Sequence, residues 1–266
     1  MKNLIPFLKR PPTVAVIRLS GVIAAGGRTG AGLNDATLAP VIERAFRKGK
    51  PVAVALAINS PGGSPVQTAL LAARIRRLAA EKTIPIHAFV EDVAASGGYW
   101  LATAADQIWI DDSSVVGSIG VISSGFGFHE LMARQGIERR VHTAGTSKSF
   151  LDPFKPEKPE DVARLKALQE PIHAAFIAQV KARRGARLSA GDLFTGDVWV
   201  GQQAIEVGLA DGIAHLVPKM KDLFGDKVRL VSYGPRRGLL RRFGAQVLGE
   251  ALAGIEDRAL WARYGL

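Results

Sequence analysis

Continuous apolar stretches alternate with segments of helical spacing along the first part of the chain. Residues 52–58 (VAVALAI) are apolar at every position, which is typical of a strand covered on both faces. Residues 35–48 instead place apolar side chains three and four positions apart, which predicts an amphipathic helix. Because strands and helices alternate in this way, the pattern predicts an α/β layered fold with a largely parallel sheet.

The same criteria predict the remaining elements. Ser64 and Pro65 have the residue types of an N-cap and a first helical position, so a helix is expected to begin there. A loop rich in Pro, Gly and Ser follows at 143–161, and loops of this length are often functional. The further strands are expected at 13–23, 84–90, 107–110, 119–122, 137–143 and 227–232, and the helices at 65–82, 97–105, 126–136, 159–184, a short one after Ser189, and 201–207.

Composition narrows the classes of function. The 266 residues carry a net charge of +11 but none of the motifs that read nucleic-acid bases, so no nucleic-acid partner is expected. The absence of cysteine excludes a thiol nucleophile. The apolar run at residues 4–8 is short and broken by Pro6, and no stretch reaches the length of a spanning helix. We therefore expect a cytoplasmic chain without a signal peptide or transmembrane helix.

The C-terminal segment, residues 235–266, predicts an amphipathic helical tail with a basic start. Three interpretations stay open for it: peripheral contact with the inner membrane, contact with other subunits, or docking into a groove of its own chain. The apolar stripe consists of Leu240, Phe243, Val247, Leu248, Leu252 and Ile255, and the basic residues are Arg236, Arg237, Arg241 and Arg242.

Two glycine-containing turns, 59–64 (NSPGGS) and 95–98 (ASGG), follow predicted strands and precede predicted helices. Backbone N–H groups at such positions can stabilise an oxyanion, and Ser96 is a candidate nucleophile beside them. The alternative is that both turns serve only close packing. A serine nucleophile needs a base, for which the residues offer His142, with no carboxylate to orient it, or Lys148. A desolvated lysine can act as such a base.

Several motifs in order resemble the signal peptide peptidase A family. They are INSPGGS, VAASGGYWLATAADQIW, VVGSIGVI, GTSKSFLDPF and TGDVWVGQQAIEVGLAD. The resemblance implies the fold shared by crotonases and the caseinolytic protease subunit ClpP, over a peptidase domain at 1–234. It also implies serine endopeptidase activity without a metal or cofactor. Ser96 would be the nucleophile, Lys148 the general base, Ser118 the residue that orients the lysine, and Gly63 and Gly97 the oxyanion-hole donors.

The resemblance further implies peptide partners, such as signal-peptide remnants or other short or unfolded peptides, and assembly into a ring-like homo-oligomer. Two other classes of function stay open at this stage. A crotonase-type acyl-CoA enzyme would need a pair of glutamates near the glycine turns, where only Glu91 is found. A non-catalytic, membrane-associated assembly protein would depend on the basic tail instead.

Overall fold

The computed structural model describes residues 11–25, 32–145, 147–234 and 258–266. The chain divides into two compact units. The first unit contains residues 1–119 and 177–266, and the second contains residues 120–176. Each unit is described by itself below.

The first unit contains a mostly parallel sheet. Its strands are β1 (Thr13–Ser20), β2 (Ala53–Ser60), β3 (Ile86–Ala95), β4 (Gln107–Ile110), β5 (Val115–Gly117), β6 (Val198–Val200), β7 (Gly212–Ile213) and β8 (Arg229–Tyr233). The main path runs β6-β5-β3-β2-β1-β8, while β4 pairs with β3 and β7. Only the β5–β6 pair among these is antiparallel. β3 has two neighbours on one side, because it pairs first with β4 and then with β5.

Helices connect most of these strands. They are α1 (Asp35–Arg47), α2 (Pro65–Lys82), α3 (Gly97–Ala102), α4 (His129–Arg134), α5 (Pro159–Arg184), α6 (Gln202–Glu206) and α7 (Leu216–Phe224). The start of α2 confirms the predicted cap, since the Ser64 side chain accepts a hydrogen bond from the Gln67 amide. α4 lies in the second unit, and α5 is one continuous helix despite Pro171.

Both faces of the central strands are buried. On one face, Val14, Ala55 and Phe89 join a cluster that includes Met220 of α7. The side chains on the opposite face of β1 and β2, such as those of Ile17 and Leu56, are also completely buried. This double burial explains why the strand sequences are continuously apolar instead of alternating.

Four expected elements differ from the structure. The strand expected at 119–122 is wrong, and the strand of this region is β5, four residues earlier in the chain. Its end is fixed by the positive φ angles of Gly117 (107°) and Ser118 (51°), which depart from strand geometry. Residues 137–143 are not a strand, and no helix begins at Ser189. α4 is shorter than the expected 126–136 helix.

The expected tail falls largely outside the described residues, which include only 258–266 of it; residues 258–262 are helical. The boundary expected at residue 235 therefore stays a prediction. Among the described helices, none combines the length and the apolar character that a membrane crossing requires.

Candidate active site

The ends of three strands meet at one place in the first unit. Ser60 at the end of β2 pairs with Ala94 of β3, and Ala95 pairs with Gly117 at the end of β5. Because β2, β3 and β5 are parallel, the turns that follow them leave the sheet at the same edge. This is the edge where α/β proteins place their functional residues.

Ser96 occupies a sharp turn between β3 and α3. Its φ and ψ are 52° and −122°, a conformation that non-glycine residues seldom adopt. The turn is held on both sides: the Ser96 amide donates to the Gly117 carbonyl at 2.8 Å, and the Ser96 carbonyl accepts from the Trp100 amide at 3.0 Å. The half-buried Ser96 side chain makes no capping hydrogen bond with α3. Backbone strain of this kind is concentrated at functional sites.

The glycine turn after β2 packs directly against Ser96. A Cβ placed on Gly62 would lie 2.8 Å from both the Ser96 Cβ and the Gly97 nitrogen. A Cβ placed on Gly63, whose φ is 137°, would lie 2.0 Å from the Ile23 carbonyl oxygen. Gly62 is therefore required for the close approach of the two turns, and Gly63 for the close approach of Ile23, so the packing interpretation of these turns is correct as far as it goes.

The same geometry leaves two backbone amides free beside Ser96. Ile23 donates to the Gly62 carbonyl at 2.8 Å and accepts from the Ser64 amide at 2.7 Å, so the N–H of Gly63 faces away from Ile23. A Cβ placed on Gly97 would lie 3.4 Å from the Gly63 nitrogen. Among the described residues, neither the Gly63 nor the Gly97 amide donates a hydrogen bond. Two unused N–H groups next to a serine can stabilise an oxyanion.

Ser118 lies next to the Ser96 anchor, since it follows Gly117 in the chain. It is only 9% exposed, and its amide donates to the Asp197 carbonyl at 2.6 Å. The segment TGDVWVG thus holds the Ser118 backbone and covers Gly117 with the Trp199 ring.

The candidate bases lie in the second unit. Lys148 and His142 are both exposed there, and the Lys148 amide donates to the Gly145 carbonyl at 3.3 Å. Their roles stay predictions. In the first unit His87 is a core residue: it is 6% exposed, and its Nδ1 has no hydrogen-bond partner among the described residues. Burial lowers the pKa of His87, which disfavours its charged form.

Sequence reasoning missed the buried residues that bind α3 to residues 208–211 and that hold this segment in place. The hydroxyl of the fully buried Tyr99 donates to the Leu209 carbonyl at 2.9 Å, and burial raises the pKa of this phenol. Arg184 is 4% exposed; it donates to the Gly208 carbonyl at 2.8 Å and pairs with Asp211 at 2.8 Å. These contacts join residues far apart in the chain, so no local signal in the sequence predicts them.

Comparison with known proteins decides the family. Residues 79–223 match the model of peptidase family S49, which is more than half of the chain. The chain belongs to peptidase family S49. It is 48% identical over 286 aligned positions to a Brucella melitensis protein named Na(+)/H(+) antiporter NhaA, covering 100% of this chain and 39% of that protein. It is 32% identical over 182 positions to an Enterococcus faecium protein named "Putative signal peptide peptidase SppA", covering 65% and 51%. The S49 chain thus spans about two fifths to one half of the length of these relatives.

A solved structure shows the same fold. The S49 chain matches a mutant of the 1510-N membrane-bound stomatin-specific protease in complex with a substrate peptide, with a TM-score of 0.55 and 14% identity. The match covers 94% of this chain and 100% of the other. At this identity the likeness concerns the fold alone. The expected layered α/β fold of the ClpP/crotonase type is confirmed, as is the resemblance to the signal peptide peptidase A family.

Membership of S49 places the chain in a peptidase family. It disfavours the crotonase-type and the non-catalytic alternatives. The structure adds a reason against the former, because Glu91 is exposed and paired with Arg18 at 2.8 Å instead of facing a second glutamate.

Proposed function

We propose that this S49 chain is an endopeptidase with a Ser–Lys dyad, in which Ser96 is the nucleophile and Lys148 the general base. The observation that carries the proposal is the turn at Ser96. A strained serine lies there beside the amides of Gly63 and Gly97, which donate no hydrogen bond within the part of the chain that the structure describes. Because the matched family is a peptidase family, and the signal peptide peptidase A family that the motifs resemble uses a serine nucleophile, a serine in this setting is the best candidate for the attacking group.

The proposed cycle has two halves. In acylation, Lys148 accepts the proton of the Ser96 hydroxyl while Oγ attacks the peptide carbonyl carbon. The amides of Gly63 and Gly97 stabilise the oxyanion until the C–N bond breaks, and the lysine then donates its proton to the leaving amine. In deacylation, water attacks the ester with Lys148 as base, and Ser96 regains its proton as the acid product leaves. Ser118 would orient the Lys148 amine by a hydrogen bond.

The proposed substrates are short or unfolded peptides, including remnants of signal peptides. The name of the Enterococcus faecium relative supports the latter class, and the substrate peptide bound to the 1510-N protease supports a peptide ligand. An extended chain suits a serine at a sheet edge because its carbonyl can approach the nucleophile without folded structure around it. We also propose that the chain acts as a homo-oligomer in the cytoplasm, with its tail at the inner membrane or at neighbouring subunits.

Hydrolysis of fluorescently labelled casein tests the dyad. We expect the wild-type chain to cleave casein, and Ser96→Ala and Lys148→Ala each to lower the rate to background. Ser113→Ala is the matched control, since Ser113 is an exposed turn serine of the same unit as Ser96. An active Lys148→Ala variant with an inactive Ser96→Ala variant would refute Lys148 as base and direct attention to His142. Activity that persists in Ser96→Ala would refute the nucleophile.

A further inference from the structure

The pairing of β2 with β3 changes register just before the active site. Ile58 pairs with Val90, but the next paired residues are Ser60 and Ala94. Two steps along β2 therefore correspond to four steps along β3, so β3 has a bulge in the residues between Val90 and Ala94. Bulges next to active sites commonly re-aim a side chain.

Asn59 holds this bulge from the β2 side. Its Nδ2 donates to the Asp92 carboxylate at 2.5 Å, and its Oδ1 accepts from the Val93 amide at 3.2 Å. Val93 is completely buried, so its N–H would otherwise lack a partner away from water. From the other side, the Ser114 hydroxyl lies 2.6 Å from the Glu91 carbonyl. Side-chain hydrogen bonds thus hold the bulge where the β2–β3 ladder is interrupted, while Val93 keeps its pairing with Val115 of β5.

The register shift decides which residue of β3 lies beside the glycine turn. Without it, Ser60 would pair with Asp92, and Ser96 would lie two residues farther along the strand direction, a displacement of about 6–7 Å. With it, Ser96 is level with Gly62, as the 2.8 Å approach of a Gly62 Cβ to the Ser96 Cβ requires. The position of the nucleophile relative to the Gly63 and Gly97 amides therefore depends on the bulge.

We infer that Asn59 is a positioning residue: by bonding Asp92 and Val93 it stabilises the β3 bulge that brings Ser96 level with the oxyanion-hole amides. The inference rests on the proposed function of Ser96, Gly63 and Gly97. Asn59 does not take part in the chemistry itself. Its side chain was not singled out from the sequence, because the NSPGG motif draws attention to its glycines.

A swap of the two side chains tests the inference. Asn59→Asp sets two carboxylates against each other and opens the bulge, and it is expected to lower kcat for casein about 100-fold with little change in KM. Adding Asp92→Asn restores an amide–carboxylate bond with the donor and acceptor exchanged, while the carboxylate introduced at position 59 still accepts from the Val93 amide. The double variant is expected to recover at least about tenfold of the lost kcat, which is a coupling of contacting residues.

Arg18→Gln is the matched control, because Arg18 forms the exposed ion pair with Glu91 in the same bulge. It is expected to leave kcat unchanged. Thermal unfolding of every variant separates positioning from stability, since a purely structural Asn59 would lower Tm and leave kcat near the wild-type value. That result, or a double variant no more active than Asn59→Asp alone, would overturn the inference. A Ser96→Ala variant that is as active as the wild type would instead overturn the proposed function, whatever the results for the Asn59 variants.

Discussion

The two residues of the proposed dyad lie in very different surroundings. Ser96 is in a turn whose neighbours are almost all buried and whose backbone is bonded on both sides, to Gly117 and Trp100. Lys148 is an exposed residue in a segment of turns in the second unit, and its amide donates a long hydrogen bond of 3.3 Å to the Gly145 carbonyl. Because of this difference, we expect substitutions around Ser96 to change the stability of the fold as well as the rate, whereas substitutions of Lys148 should change the rate alone.

The largest expected effect tests the lysine side. Lys148→Ala should lower kcat/KM for casein about 1,000-fold, since a general base contributes roughly 10²–10⁴ to such rates. Its Tm should stay close to that of the wild type because the side chain is exposed. Casein hydrolysis and thermal unfolding measured on the same samples check both statements. Lys158→Ala, an exposed lysine of the same unit, is the control. A large fall in the Tm of Lys148→Ala would contradict the expectation that Lys148 affects the rate without affecting stability.

Gly63→Ala tests the nucleophile side. A Cβ there would lie 2.0 Å from the Ile23 oxygen at a φ of 137°, so we expect a loss of more than about 3 kcal/mol of unfolding free energy together with about 100-fold in kcat. Gly21→Ala is the matched control: its φ is 112°, but nothing lies within 4 Å of the added Cβ. It should cost only about 1–2 kcal/mol. Urea denaturation compares the two, and equal losses would show that the clash with Ile23 is not what matters.

Tyr99→Phe tests the anchor of α3. Removing the hydroxyl leaves the buried Leu209 carbonyl without its 2.9 Å bond, which should cost about 1–2 kcal/mol of unfolding free energy. Tyr233→Phe removes a longer bond of 3.3 Å to the carbonyl of exposed Lys48 and should cost less. Denaturant titrations of both variants give the difference, and a larger loss at Tyr233 would contradict the anchoring role of Tyr99.

The smallest effect concerns pH. Burial lowers the pKa of His87 below 6.5, so the unfolded chain takes up a proton at this residue more readily than the folded one. Stability should therefore fall as pH drops below about 6.5, and His87→Leu should reduce that slope. Asp35 and Asp106, whose pKa values are lowered from 3.8 with partners including Arg74 and Arg76, act in a more acidic range. Tm measured against pH checks this, with exposed His142→Leu as control.

The elements of the first unit were predictable where local chemistry decides them. The cap at Ser64, the limits of α2 and the continuous burial of β2 follow from residue types and spacing alone. The strand expected at 119–122 failed because β5 is defined by its pairing with β3 and β6, not by its own pattern. Residues 137–143 have the residue types of a strand, but a strand also needs a neighbour to pair with.

Candidate residues for the site could be nominated from the sequence, but their geometry could not. Ser96, Gly63 and Gly97 could be singled out because glycines and a serine follow two predicted strands. The strained φ of Ser96 and the bulge held by Asn59 could not, since both depend on how β2, β3 and β5 pair. The Tyr99 and Arg184 anchors depend on contacts with residues 208–211, which lie far along the chain.

The most direct test of the proposed Ser96–Lys148 dyad is to locate the reactive serine. Wild-type chain is treated with a fluorophosphonate, digested and mapped by mass spectrometry, and the rate of labelling is compared with that of Lys148→Ala. We expect one adduct on Ser96, formed at least about 100 times more slowly in Lys148→Ala because the base that activates the hydroxyl is missing. An adduct on a different residue, or a rate at Ser96 that does not depend on Lys148, would contradict the proposed dyad.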